Sequence, residues 1–244
     1  MKPKRIKILG VPVDCVNMAQ AVSVVDAMVA GDSPQAVIAN NPEKVIKAQR
    51  DAGLLRQLEN AGLLIPDGIG IVLAARILGL GRMERVPGSE LMPAICELAV
   101  NKGYRVYLFG ANPEVNRKTR EVLLQRYPHL QIVGNRDGYV ADSDMSSVVQ
   151  EINSSKAEIL FIALGSPKQE LWIEEYLPRL NIRVCQGVGG TFDVIAGHVR
   201  RAPRVFRQLH LEWFYRLMTN PRRLFRQTAL PKFALQVLYA RLNK

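Results

Sequence analysis

The chain has 244 residues, of which 48% are hydrophobic and 23% are charged, and its formal net charge is +11. This length is enough for one α/β domain with an appendage or for two small domains. No apolar run approaches the roughly 18–20 residues that a membrane-spanning helix needs, and the apolar stretch near the N-terminus is too short for a signal peptide. We therefore expect a cytoplasmic protein that is soluble or peripherally associated with the inner face of the cell membrane.

Short apolar runs alternate with amphipathic segments along the first 198 residues. The runs that predict strands are 5–9, 36–39, 63–65, 105–109, 131–133, 159–163 and 183–186. The segments between them that predict helices are 18–29, 43–58, 71–78, 90–101, 114–126, 143–153 and 169–176. This alternation predicts an α/β fold with a Rossmann-like, mostly parallel sheet and helices on both faces.

Two of the predicted helices start with the same capping sequence, Asn-Pro. Asn41 precedes Pro42, and Asn112 precedes Pro113. An asparagine at the cap accepts a hydrogen bond from the first turn, and proline is favoured at the first helical position.

The unusual residues of the chain cluster in the loops that follow the predicted strands. These loops are 39–42, 66–70, 110–113, 134–139, 165–170 and 187–193. Glycine, proline and asparagine are also what tight turns require, so each loop alone is explained by turn chemistry. Because ligands bind beyond the carboxyl ends of the strands in an open parallel sheet, six such loops together favour a binding site.

The loops contain two kinds of functional group. Glycine-flanked helix starts at 110–113, 165–169 and 189–193 offer backbone N–H groups and positive helix ends, which suit a diphosphate. Asp67 lies between Pro66 and Gly68 with no acidic neighbour in its loop, which suits a general base. The alternative is that Asp67 caps the helix that starts near Ile69.

Several familiar motifs are absent or incomplete. Asp142 and Asp144 have the D-x-D spacing of a metal site but open a helical pattern, which favours capping. The run at 187–192 resembles a dinucleotide fingerprint, but Phe192 stands where the third glycine belongs. The cysteines are widely separated in apolar sequence, at Cys15, Cys96 and Cys185. We therefore expect reduced, buried thiols, no metal site and no cofactor.

The C-terminal 45 residues hold nearly all of the excess positive charge. Between Arg200 and Lys244 there are eleven basic residues and one acid, Glu212, which gives +10 of the total +11. Aromatic residues are interleaved with the arginines. This composition suits an anionic phospholipid surface or single-stranded nucleic acid, and it predicts a boundary between a body, 1–198, and an appendage, 199–244.

Four motifs in the second half of the chain resemble the WecG/TagA/CpsF glycosyltransferases. They are GSPKQE at 165–170, GVGGTFD at 187–193, GHVRRAP at 197–203 and LEWFYR at 211–216. Shorter pieces upstream agree in order: NPE at 41–43, DG at 67–68, RVPG at 85–88 and DGY at 137–139. The resemblance covers essentially the whole chain.

The resemblance implies an inverting, metal-independent transfer of an N-acetylmannosamine-type sugar from its UDP donor. The acceptor that it implies is N-acetylglucosamine on undecaprenyl diphosphate, at the cytoplasmic membrane surface. It assigns Asp67 as the catalytic base, Asn41 and Gln169 as polar groups of the pocket, and Arg85 as an arginine on a mobile loop. The further substrate contacts that we expect are Gly110, Ala111, Tyr139, Gly165, Gly190, Thr191 and Asp193. The basic appendage is expected to close over the site through Arg216, Arg223 and Arg226.

The sequence is also compatible with other functions. Within the family, teichoic-acid linkage synthesis is favoured over transfer of a related UDP-sugar in exopolysaccharide or surface-antigen synthesis. A nucleic-acid-binding protein is disfavoured because the sequence has no recognition module, and a nicotinamide-dependent enzyme is disfavoured by the broken fingerprint. A homo-oligomer is compatible with the sequence, which does not determine the oligomeric state.

Overall fold

A computed structural model describes residues 3–199, 202–203, 205–206, 214–215, 218 and 228–243. Its centre is a six-stranded parallel sheet. The strands are β3 (Gln35–Asn40), β4 (Leu63–Pro66), β5 (Arg105–Gly110), β6 (Gln131–Arg136), β7 (Ile159–Ala163) and β8 (Val184–Gly187), in the spatial order β4-β3-β8-β7-β5-β6. The predicted α/β class with a parallel sheet is confirmed.

Helices cover both faces of the sheet and bury two apolar cores. On one face lie α1 (Met18–Val29), α5 (Gly88–Lys102), α6 (Pro113–Arg126) and α9 (Thr191–Ile195). On the other lie α2 (Pro42–Ala48), α3 (Ala52–Asn60), α4 (Ile69–Ile77), α7 (Met145–Ser154), α8 (Lys168–Tyr176) and α10 (Ala229–Leu242). Five of the strands are largely buried, as expected for a parallel sheet between two helical layers, whereas the edge strand β6 is partly exposed along its whole length.

An antiparallel hairpin precedes the sheet. The strand predicted at 5–9 exists as β1 (Arg5–Ile8), but it pairs with β2 (Val11–Asp14), which the sequence analysis missed, and not with the parallel sheet. The turn is short because Leu9 and Gly10 both have positive φ, at 52° and 84°.

A buried carboxylate fastens this hairpin to the body. Asp14 is fully buried and accepts two hydrogen bonds from the Arg5 guanidinium, at 2.8 and 2.9 Å. One of its oxygens also accepts the Leu64 N–H of β4 at 2.8 Å. Because one side chain bonds both the hairpin and a sheet strand, the two sheets are held together.

The single helix predicted at 43–58 is two helices. α2 ends at Ala48, and the extended Asp51 caps α3 by accepting a hydrogen bond from Leu54 N at 2.9 Å. Aspartate is among the preferred capping residues, so it restarts the helix here although the apolar pattern continues. The caps predicted at Asn41 and Asn112 are confirmed.

The order of the strands creates a crevice at the carboxyl edge of the sheet. β3 and β8 are neighbours, but the chain leaves β3 for α2 on one face and leaves β8 for α9 on the other. Such a point of divergence is where ligands bind in open parallel sheets. Helix α10 packs on α2 and α4 beside this crevice and buries Phe233 and Val237.

In the parts of the chain that the structure describes, no helix is long and apolar enough to cross a bilayer. The division between a body and an appendage at residues 198 and 199 stays a prediction.

Candidate active site

A cavity of about 680 Å³ opens at the crevice between β3 and β8. Ligand sites for small molecules usually measure about 300–1,000 Å³. Its walls come from the loops after β3, β4, β7 and β8, from the segment before α5, and from α4 and α10. Seven of the predicted site residues line it: Asn41, Asp67, Arg85, Gly165, Gln169, Gly190 and Thr191.

The register of two neighbouring strands places Asn41 beside Asp67. Asn40 of β3 pairs with Pro66 of β4, so the next residue of each strand emerges at the same edge. The Asp67 N–H donates to the Asn40 carbonyl at 2.8 Å, which fixes the backbone of Asp67. Asn41 also caps α2, because its side-chain oxygen accepts a hydrogen bond from Lys44 N at 2.8 Å.

Asp67 is not the N-cap residue of the helix that follows it. Gly68 occupies the N-cap position of α4, and its φ of 108° favours glycine. Asp67 is partly exposed at the wall of the cavity. The N-cap position thus belongs to Gly68 and not to Asp67, and the role of the Asp67 carboxylate as a base stays a prediction.

Two glycine loops, after β7 and β8, line the cavity at the same edge of the sheet. Gly165 and Gly189 have φ values of 74° and 53°, and the helices that follow, α8 and α9, have no side-chain cap. Backbone N–H groups at such helix starts are the donors that phosphate groups bind. The Gly189 N–H already donates to Gln169, and binding of a diphosphate by these loops stays a prediction.

Gln169 joins these two loops. It is buried, and its side-chain oxygen accepts a hydrogen bond from Gly189 N at 3.0 Å. A Cβ atom on Gly187 would lie 2.6 Å from Gln169 Nε2, so only glycine at position 187 leaves room for this amide. The amide therefore sets the separation of the α8 and α9 starts.

Lys44 and Glu170 form a buried ion pair in the cavity wall. Lys44 Nζ lies 2.8 Å from Glu170 Oε1, and their side chains are 8% and 5% exposed. Burial acts to raise the pKa of the Glu170 carboxyl, but Lys44 and hydrogen bonds together outweigh it and hold that pKa below its usual range. The pair links the first turn of α2 to the first turn of α8.

The sequence analysis missed this pair. A signal was present in α2, where Lys44 lies next to Val45 and four residues before Ala48, on a face that is otherwise buried. A lysine on an apolar face needs a partner. The partner is 126 residues away along the chain, so the sequence pattern alone did not identify it.

Arg85 lies in the segment between α4 and α5. Its guanidinium is 3.8 Å from the Glu90 carboxylate in the first turn of α5, and its side chain is 16% exposed. The backbone of this segment is held to the sheet, because Val86 N donates to the Pro66 carbonyl at 2.9 Å. A cation is thus placed in the cavity wall next to β4, the strand that precedes Asp67.

Four predicted site residues lie outside the cavity lining, further along the carboxyl edge of the sheet. Gly110 packs tightly on β7, since a Cβ there would lie 2.6 Å from the Ala163 backbone. The Ala111 carbonyl accepts the Gly138 N–H at 2.8 Å, which brings the loop of Tyr139 against the end of β5. Tyr139 is 79% exposed. Asp193 lies in α9, and its carboxylate is near Gly190.

Asp144 of the D-x-D pair occupies the N-cap position of α7, as the sequence pattern favoured, but without a side-chain bond. Asp142 and Asp144 form a short 3₁₀ turn before α7, and neither makes a side-chain capping bond. The described residues contain no group of three His, Cys, Asp or Glu side chains arranged to hold a metal ion. Of the three unpaired cysteines, Cys96 and Cys185 are buried and Cys15 is partly so. Burial raises the pKa of the Cys96 thiol to about 12.

The remaining wall is apolar and comes from α4 and α10. Leu73 and Ile77 of α4 and Phe233, Val237 and Leu238 of α10 all line it. The predicted membrane arginines, Arg216, Arg223 and Arg226, lie outside the described residues.

Comparison with known proteins identifies the family. The model of the glycosyl transferase WecG/TagA/CpsF family matches residues 6–244. The chain belongs to this glycosyltransferase family. The predicted family and enzyme class are therefore confirmed.

Relatives with curated names match most of the chain. A Bacillus spizizenii protein is 37% identical over 83% of this chain and 78% of its own length, and a Bacillus subtilis protein is 36% identical over 84% and 79%. A Staphylococcus aureus protein is 33% identical over 97% of this chain and 93% of its own length. All three are named N-acetylglucosaminyldiphosphoundecaprenol N-acetyl-beta-D-mannosaminyltransferase.

Proposed function

We propose that this enzyme transfers N-acetylmannosamine from UDP-N-acetylmannosamine to N-acetylglucosaminyldiphosphoundecaprenol, with inversion at the anomeric carbon. The observation that supports it most directly is the composition of one cavity. A carboxylate at the end of β4 and two glycine loops at the ends of β7 and β8 line it together. The relatives' names supply the sugar and the acceptor.

In this proposal the donor diphosphate lies on the glycine loops around Gly165 and Gly190. The nucleoside extends along the rim toward Ala111, Tyr139 and Asp193, where the exposed Tyr139 ring offers a stacking surface. The sugar then projects into the cavity, toward Asp67.

The chemical step needs a base and a means of stabilising the leaving group. Asp67 takes the proton from the attacking hydroxyl of the acceptor as its oxygen bonds to the anomeric carbon. The bond from that carbon to the UDP oxygen breaks, and UDP leaves with the electron pair. The backbone N–H groups at the α8 start and the cation of Arg85 stabilise the developing negative charge.

We also propose that the enzyme works at the inner face of the cell membrane, with the basic appendage against anionic lipid. The charge of +10 in residues 200–244 supports this, since basic residues near an anionic leaflet contribute about 1 kcal/mol each. An acceptor with an undecaprenyl chain is itself a membrane component.

The test is a donor screen. The full-length protein is incubated with a synthetic N-acetylglucosaminyldiphospho-lipid and one UDP-sugar at a time: UDP-N-acetylmannosamine, its uronic acid, UDP-N-acetylglucosamine or UDP-glucose. We expect the mass of the disaccharide lipid to form fastest with UDP-N-acetylmannosamine. Preference for another sugar would assign a different polymer pathway, and no product with any donor would refute the proposal.

A further inference from the structure

The apolar wall of the cavity lies between two helices that present matched stripes. On α4, Ile69, Leu73 and Ile77 line the cavity at intervals of four residues. On α10, Leu230, Ala234 and Leu238 do the same. Residues four apart share one face of a helix, so each helix contributes a continuous strip about 12 Å long.

These stripes are exposed inside the opening of the cavity. Leu73 is 48% exposed, Ile77 is 39% and Leu238 is 52%. Apolar side chains of this size are normally covered when they cluster, and clusters beside a polar site often mark ligand grooves. The side chains below them, Phe233 and Val237, are buried and hold α10 in place.

Three kinds of chemical group follow one another in the chain at the start of α4, and all three line the cavity. Asp67 comes first, then the helix start at Gly68 without a side-chain cap, and then the apolar stripe that begins at Ile69. The acceptor named for the relatives has its parts in the same order: a sugar, a diphosphate and a polyprenyl chain. Helix α10 lies against the start of α4, because a Cβ atom on Gly70 would lie 3.9 Å from the Phe233 ring.

We infer that the groove between α4 and α10 is the subsite for the polyprenyl chain of the acceptor, taking the isoprene units next to the diphosphate. This inference rests on the proposed function. The sugar at Asp67 and the lipid in the groove belong to one molecule, so filling the groove would help to orient the attacking hydroxyl. The rest of a long chain would extend beyond the ends of the two helices.

The experiment compares two soluble acceptors below their aggregation concentrations. Both carry N-acetylglucosaminyl diphosphate, one on a single isoprene unit and the other on three. We expect the kcat/KM of the wild type to be at least about tenfold higher for the three-unit acceptor than for the one-unit acceptor, mainly because KM is lower. A few additional methylene groups in an apolar pocket provide discrimination of this size. In Leu73→Ser with Ile77→Asn this ratio should fall toward one.

Leu242→Ser is the matched control. It replaces an apolar residue of α10 that is 85% exposed and does not line the cavity, so the ratio should remain that of the wild type. A wild type without chain-length preference, or a double variant that keeps it, would overturn the inference. Loss of binding to phosphatidylglycerol vesicles by the double variant, with the ratio intact, would also overturn it and assign the stripes to the membrane.

The two proposals fail differently. If the wild type transfers no sugar to either acceptor, the proposed function is wrong. If it transfers to both at equal efficiency, the proposed function stands and the lipid subsite is wrong.

Discussion

The chemistry that we propose depends on single residues, and Asp67 is the first of them. Its backbone is fixed by the bond to Asn40, and the N-cap position of α4 is occupied by Gly68. Asp67→Asn keeps the shape of the side chain but removes its basicity. We expect kcat to fall by about 10²–10⁴-fold, with a thermal midpoint near that of the wild type.

Asp142→Asn is the control for this substitution, because Asp142 is exposed and outside the cavity lining. Its turnover should match the wild type. Near-normal turnover in Asp67→Asn would show that another group takes the proton.

A second prediction for single residues concerns the stability that the Lys44–Glu170 ion pair provides. Either charge alone would be buried without its partner, which costs about 3–5 kcal/mol. We expect Lys44→Met and Glu170→Gln each to lower the free energy of unfolding by an amount in that range. The double variant should regain much of the loss, and urea titrations of all four proteins give the coupling free energy.

The pair also predicts a pH dependence. Because the folded-state pKa of Glu170 is lowered, its contribution to stability is complete above the ordinary glutamate pKa of about 4.3 and is lost as the pH falls through the folded-state value. The stability gap between the wild type and Glu170→Gln should therefore shrink in acid. A gap that is independent of pH, or single variants whose losses simply add, would contradict the ion-pair assignment.

At the scale of elements, the hairpin depends on Asp14. This buried carboxylate bonds Arg5 and the Leu64 N–H, so Asp14→Asn removes a charge from a paired site and weakens the contact with β4. We expect a loss of about 3 kcal/mol in the free energy of unfolding. The control is Lys7→Ala, which breaks the exposed Lys7–Glu59 pair of the same hairpin and should cost at most about 1 kcal/mol. Equal effects of the two substitutions would show that Asp14 does not join the sheets.

Local signals predicted the parallel strands and the helix starts well. The caps at Asn41 and Asn112 and the apolar strand cores at 36–39 and 159–163 depend on neighbouring residues, which a single sequence shows directly. The hairpin partner Val11–Asp14 was missed because a four-residue strand with a proline gives a weak pattern. The break at Asp51 was missed because the apolar spacing runs across it.

The site was predicted where it depends on the position of loops and was missed where it depends on long-range contacts. Loops after parallel strands must meet at one edge, so Asn41, Asp67, Gly165 and Thr191 converge as expected. The Lys44–Glu170 contact and the apolar wall from α10 depend on how distant helices pack. No local pattern in the sequence specifies that packing.

At the scale of the whole molecule, we expect turnover without a divalent cation. In the proposed mechanism backbone N–H groups and arginine stabilise the leaving diphosphate, which is the task that a metal ion performs elsewhere. Activity should survive EDTA and should not rise when magnesium or manganese is added back. Loss with EDTA and recovery with either ion would contradict this mechanism, and repeating the assay with Asp142→Asn would test whether the D-x-D pair is responsible.

The central claim is that the UDP donor occupies the carboxyl edge of the sheet, from the cavity to the loop of Tyr139. Hydrogen exchange of the full-length protein, with and without saturating UDP, measures this most directly. We predict that UDP slows exchange in residues 165–170 and 187–193, with smaller effects at 110–112 and 137–139, and leaves the hairpin unchanged. Binding of UDP with protection elsewhere and none in the loops after β7 and β8 would contradict the claim.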